Sequence, residues 1–112
     1  MTREGPCGKA PRMIVEYLRY QVADPAAFID GYRAASKSLD ASTHCLGYEL
    51  CQCDEDEKIF ILRIEWDSAD GHMKGFRSSP EFRDFFAAIK PWVGDIAEMR
   101  HYHRTEVVRH KG

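Results

Sequence analysis

His72 and Phe76 stand four residues apart at the start of a helical pattern, and Trp66 precedes them at the end of an apolar run. Residues at that spacing share one helix face, so an imidazole and a phenyl ring should address the same space. An imidazole beside aromatic walls can take a phenolic proton near neutral pH, because its ordinary pKa lies in that range. The competing reading is a helix-start histidine bonded to a carbonyl or to solvent. Trp66 shares a strand face with Leu62 and Ile64, where a large aromatic packs as core or faces a substrate. Tyr32, on the inner face of an earlier helix, can line a pocket and hydrogen-bond a hydroxylated guest, with Phe76, Phe82 and Phe86 as further wall.

Other groups offer less. His101 and His103 point to one face of the last strand and could share a metal, but no third ligand is evident among Glu49, Cys51 and Cys53, so no metal is expected. The four cysteines, Cys7, Cys45, Cys51 and Cys53, lack the paired spacing of a zinc site and read as reduced, small apolar fillers. Glu16, Glu49, Arg63 and Glu65 interrupt apolar strands; burial of such groups unpaired is costly, and ion pairs at a sheet–sheet interface are the expected role.

These residues need elements to hold them. Met13 to Val22 alternates as a strand, with Ile14, Glu16, Leu18, Tyr20 and Val22 on one side. Asp24-Pro25 signals a helix start, followed by Phe28, Tyr32, Ala35 and Leu39 at helical spacing. Leu46 to Cys53 forms a second strand with Leu46, Tyr48 and Leu50 on one face, and the charged run Asp54 to Lys58 reads as a hairpin loop. Ile59 to Ile64 continues to Trp66 as a third strand. Asp67-Ser68 caps one helical piece and Ser79-Pro80-Glu81 a second. Pro91 breaks the pattern, Trp92 to Asp95 turns, and Ile96 to Val108 is a last strand.

The order β-α-β-β-α-β specifies an α+β, ferredoxin-like fold: an antiparallel sheet with both helices on one face. Its strands carry apolar or aromatic residues on both faces, so a second copy should cover the open side, giving a homodimer. A chain of 112 residues fits one domain over residues 13–108, with tails at 1–12 and 109–112. A formal charge of −2 with interspersed signs gives no patch for nucleic acid or an anionic membrane. No apolar run spans a bilayer and the first residues lack the centre of a secretory signal, so a cytoplasmic location is expected.

The segment E-W-D-S, then His72, then G-F-R-S-S-P-E-F-R-D-F-F before Pro91 resembles the antibiotic biosynthesis monooxygenase family. The resemblance runs from Met13 to about Val108 and rests on Trp66, Ser68, His72, Gly75, Phe76, Arg77, Ser79, Phe82 and Phe86. It implies a dimeric α+β barrel. It also implies a cofactor-independent monooxygenase for an aromatic or quinol-like small molecule bound between helices and sheet. In the quinone-forming members a Trp ends the third strand and a Tyr lies near the start of the second helix; Trp66 matches the first and His72 takes the place of the second. The Asn those members carry four residues before the Trp is Leu62 here. The heme-degrading members' Trp and His fall on Phe76 and Phe86, and the first strand has no Asn, which speaks against heme degradation. The alternatives are a module that binds heme or another hydrophobic ligand without turnover, and a dimeric scaffold with a vestigial pocket.

Overall fold

The computed structural model describes residues 12–111. The expected N-terminal tail, with Cys7, lies outside them except for Arg12. Strand β1 (Ile14–Gln21) leads to helix α1 (Pro25–Ala41), strands β2 (Cys45–Gln52) and β3 (Ile59–Trp66), a π-helical segment (Gly71–Phe76), helix α2 (Pro80–Ile89), a 3-10 turn (Lys90–Asp95) and strand β4 (Ile96–His103). The sheet order is β2-β3-β1-β4, antiparallel throughout, which is the ferredoxin-like arrangement read from the sequence.

Both helix starts follow from their caps. Asp24 accepts the Ala27 N–H at 3.2 Å ahead of Pro25, and Ser79 accepts the Phe82 N–H at 3.2 Å ahead of Pro80. Each satisfies a donor that the first turn leaves free. The Ser79 hydroxyl also donates to the Phe76 carbonyl at 2.6 Å, tying the end of the π-helical segment to the start of α2.

Two strands differ from expectation. β4 ends at His103 because its partner β1 begins at Ile14, opposite His103, and no paired backbone remains; Arg104 to Lys111 is irregular and exposed. In β2 the register shifts between Cys45 and Gly47, so Leu46 is left 57% exposed while Cys45 packs against the core. A bulge of this kind turns side chains off the alternation that the sequence suggests. Cys53 follows the strand rather than closing it.

The helix-facing side of the sheet buries Leu18, Tyr20, Phe60, Leu62, Ile64 and Trp66. Phe28 sits among Tyr20, Tyr32, Phe60 and Trp92 with ring centroids 4.7 to 5.6 Å apart. Gly31 on α1 lets the Trp92 ring close on the helix, since a Cβ there would run into that ring. Gly31→Ala is therefore expected to destabilise the fold by about 1–3 kcal/mol through overpacking, read as a lowered thermal midpoint. An unchanged midpoint would show that the ring swings away freely.

The opposite face is mixed rather than apolar. Tyr17 meets Tyr102 edge-on at 5.3 Å, while Arg63 pairs with Glu65 at 2.6 Å and Arg104 reaches Glu65 at 3.5 Å. Arg63 and Glu65 form an ion pair within one strand, where the sequence suggested pairs at an interface between sheets.

Candidate functional site

Strand register assembles the site. Glu16 lies opposite His101 on β4 and opposite Ile64 on β3, one same-face step from Trp66. The three side chains share the helix-facing side because residues two apart on a strand point the same way. His72 is delivered from above by the π-helical segment. There Ser68 accepts the Gly71 N–H at 2.8 Å, and the His72 N–H reaches the Ser68 carbonyl at 3.1 Å. The Arg77 N–H donates to the His72 carbonyl at 3.1 Å, the five-residue step of a π-helix, a form often found at functional sites. His44 and Asp67, bonded at 3.0 Å, brace this segment from outside. A Cβ at Gly75 would meet the His44 ring, so glycine sets that close approach.

Trp66 is fully buried and stacks flat on His72, with centroids 4.5 Å apart at 10°. The Phe76 ring also packs on Trp66, tilted at 39° with centroids 4.9 Å apart. The Trp66 indole N–H donates to Glu16 Oε1 at 3.0 Å. His72 Nε2 lies 3.5 Å from Glu16 Oε1, His72 Nδ1 lies 3.0 Å from His101 Nε2, and His101 Nε2 lies 3.8 Å from Glu16 Oε2. Glu16 and His72 are 4% and 3% exposed; His101 reaches solvent.

Burial acts on the two enclosed groups in opposite senses, favouring the uncharged form of each. It raises the Glu16 carboxyl above its usual range, against the pull of the Trp66 hydrogen bond and the charges of His101 and Arg77. It drops the His72 imidazole to about 4, helped by the charges of His101 and Arg77. His72 is neutral at physiological pH.

Over this polar floor lies a cavity of about 150 Å³, walled by Leu18, Ile64, Phe82, Phe85, Ile89 and Met99. Phe86, Val93 and Met99 at its mouth are exposed. Arg77 is exposed but lines this cavity, with its guanidinium 5.1 Å over the Phe82 ring. A space of about 150 Å³ lined by apolar side chains accepts one benzene-sized ring, whereas drug-sized ligands need roughly 300–1,000 Å³.

The candidate residues divide between two places. His72, Trp66, Phe82 and Phe86 line this cavity together, and Phe76 packs behind Trp66. Tyr32 and Leu62 line a second cavity of about 350 Å³ between α1, β2 and β3. The Tyr32 hydroxyl is bonded to the Tyr20 hydroxyl at 2.5 Å, and burial pushes both phenols up, Tyr20 to about 12. Tyr20 opposes Phe60 and Ile96, two same-face steps along β1 from Glu16, which is why α1 carries Tyr32 away from His72. Tyr20→Phe is expected to cost about 1–3 kcal/mol by orphaning the Tyr32 hydroxyl, and Tyr20→Phe with Tyr32→Phe to cost less than the two singles combined. Chemical denaturation of the four proteins checks this, and strict additivity would deny the hydrogen bond its role.

Glu16 and His101 were not grouped with His72 by the sequence. Glu16 does not serve an interface between sheets: it sits under the helices. The signal was present, since alternation in β1 sets Glu16 on the side of Leu18 and Tyr20, which the helices cover. His103 stands exposed at the strand end, outside the cluster. Among the described residues, Glu16, His72 and His101 form the group of potential metal donors, all within 4.8 Å of one another.

The chain resembles known proteins over most of its length. The uncharacterized protein YczJ of Bacillus subtilis is 24% identical over 75 residues, covering 67% of this chain and 79% of YczJ. A candidate antibiotic biosynthesis monooxygenase from Bordetella bronchiseptica superposes with a TM-score of 0.69 at 25% identity, over 87% of this chain and 99% of that one. SnoaB, a cofactor-independent oxygenase from Streptomyces nogalater, shares the fold with a TM-score of 0.67 at 14% identity, over 89% of this chain and 96% of SnoaB. Among the described residues no helix is long and apolar enough to cross a membrane. The family model for antibiotic biosynthesis monooxygenases matches residues 13–88, and the chain belongs to that family.

Proposed function

We propose that this protein is a cofactor-independent monooxygenase whose substrate is a small, electron-rich phenol or hydroquinone with a single ring. One observation carries the reading: an apolar, aromatic-walled cavity of about 150 Å³ keeps its polar atoms at one end, where Glu16, His72 and the Trp66 indole meet. A ring fits the walls and its hydroxyl faces His72. Loss of the hydroxyl proton to that end leaves an electron-rich phenolate, which attacks oxygen at a free ring position through its own carbon. The resulting hydroperoxide sheds water and becomes a quinone. One oxygen atom stays on the ring and the other leaves as water, the four electrons coming from the substrate, so no external reductant is consumed.

Positioning is the main demand on the protein. A heme-binding role is less favoured, because a macrocycle is broad against a space suited to one ring. We also propose that the chain works as a homodimer joined through the uncovered sheet face, on which Tyr17, Tyr102 and Ile61 stand among charged groups. Tyr17→Asp is expected to convert the dimer to monomer by light scattering.

Oxygen uptake tests the activity. Single-ring hydroquinones are expected to consume one O2 per molecule with no hydrogen peroxide released, faster than three-ring anthrones. Absence of uptake with the whole panel would end the oxygenase reading; faster turnover of the anthrones would overturn the size limit.

A further inference from the structure

We propose that Glu16, His72 and His101 bind a divalent transition-metal ion of the class that accepts imidazole and carboxylate donors, such as zinc or cobalt. The inference goes beyond the oxygenase reading, and only the expected effect of zinc on oxygen uptake rests on it.

Three separate elements, β1, the π-helical segment and β4, bring one donor residue each to a single point. Zinc holds nitrogen and oxygen donors at about 2.0–2.2 Å, which sets neighbouring donors of a tetrahedral site about 3.4 Å apart. Two of the three separations bracket that edge, 3.0 Å from His101 Nε2 to His72 Nδ1 and 3.8 Å from His101 Nε2 to Glu16 Oε2, and the donor atoms all lie within 4.8 Å of one another. Two imidazole nitrogens at 3.0 Å either share a proton or share a cation.

The surroundings are those of a ligand set. Trp66 fixes the carboxylate by donating to Oε1, which leaves Oε2 turned toward His101. The same indole stacks flat on His72 and holds its ring plane. The other nitrogen of His72 lies 3.5 Å from Glu16 Oε1, so the carboxylate and this imidazole stay side by side. Two histidines and one carboxylate leave coordination positions open, and two of the three donors, Glu16 and His72, also line the apolar cavity. Arg77, on the rim of that cavity, is the cation that opposes an ion at this point. An ion and a phenolic hydroxyl address the same donors, so zinc is expected to inhibit rather than support oxygen uptake.

The test is a cobalt titration of the full-length protein after chelator treatment and dialysis, without substrate, backed by zinc calorimetry. The expected result is one ion per chain with a visible cobalt band of nitrogen and oxygen ligation. Glu16→Gln and His101→Gln should each weaken binding at least about tenfold, Arg77→Gln should tighten it, and His103→Gln should leave it unchanged. His101 reaches solvent, so His101→Gln is the variant expected to fold even where Glu16→Gln does not, as circular dichroism will report. No stoichiometric binding, equal loss in His103→Gln, or a near-ultraviolet thiolate band marking cysteine ligation would overturn the proposal. Because the readout is spectroscopic, its failure is separate from any failure of the oxygenase assay.

Discussion

Trp66→Ala is expected to cost about 3–5 kcal/mol of folding stability, a large share of the roughly 5–15 kcal/mol available to a domain of this kind. The indole is fully buried, stacks on His72 and packs on Phe76. Its removal leaves a cavity in a region where the facing groups hang on separate elements, β1, β4 and the π-helical segment, and cannot collapse together. It also strips the Glu16 carboxyl of a hydrogen bond from a neutral donor inside the fold, and an enclosed polar group left short of partners pays for its lost hydration. Trp66→Phe separates the two contributions, because it restores much of the packing and none of the N–H. Urea unfolding should place Trp66→Phe between wild type and Trp66→Ala. A loss below about 1 kcal/mol in the alanine variant would mean that Trp66 is not the keystone of this corner.

His72→Phe is expected to lower oxygen uptake, by at most the about 10²–10⁴-fold that a positioned proton acceptor of matched pKa contributes, because burial holds this imidazole at about 4 and makes it a weaker base than the sequence suggested. Phenylalanine keeps a flat ring against Trp66, but it is larger than imidazole in a buried place and leaves His101 Nε2 without its partner, so a loss of about 1–3 kcal/mol in stability is expected and the unfolding midpoint is read beside the activity. What disappears is the pair of nitrogens, one facing Glu16 at 3.5 Å and one facing His101 at 3.0 Å. Single-turnover oxygen consumption with a one-ring hydroquinone at saturating concentration isolates the chemical step from binding. A variant retaining more than about half the wild-type rate would remove His72 from the proton-accepting role while leaving the pocket assignment untouched.

How much of this could be read from the chain differs by element. The helix starts at Asp24-Pro25 and Ser79-Pro80 were legible because capping is local chemistry: a side-chain oxygen, a free N–H three residues on, and a ring that fixes φ. The strands Ile14–Gln21 and Ile59–Trp66 were legible because a strand between neighbours must alternate or be apolar throughout. Leu46 misled because a bulge is a property of the paired strand, and alternation in one strand carries no record of its partner's register. The end of β4 was hidden for the same reason, since where β1 begins decides where β4 has anything left to bond.

The site divides along the same line. The amino-acid order alone carried the resemblance to the family, the ferredoxin-like order of elements along the whole chain, and the placing of Trp66, His72, Phe82 and Phe86 around one space, the last a consequence of spacing along a single strand and its following helices. Only the folded chain decided that Glu16 and His101 meet His72 and that Tyr32 does not. Those neighbours are set by register across three strands and by where α1 lands on the sheet, and such distances between residues far apart in sequence exist only once the core has packed.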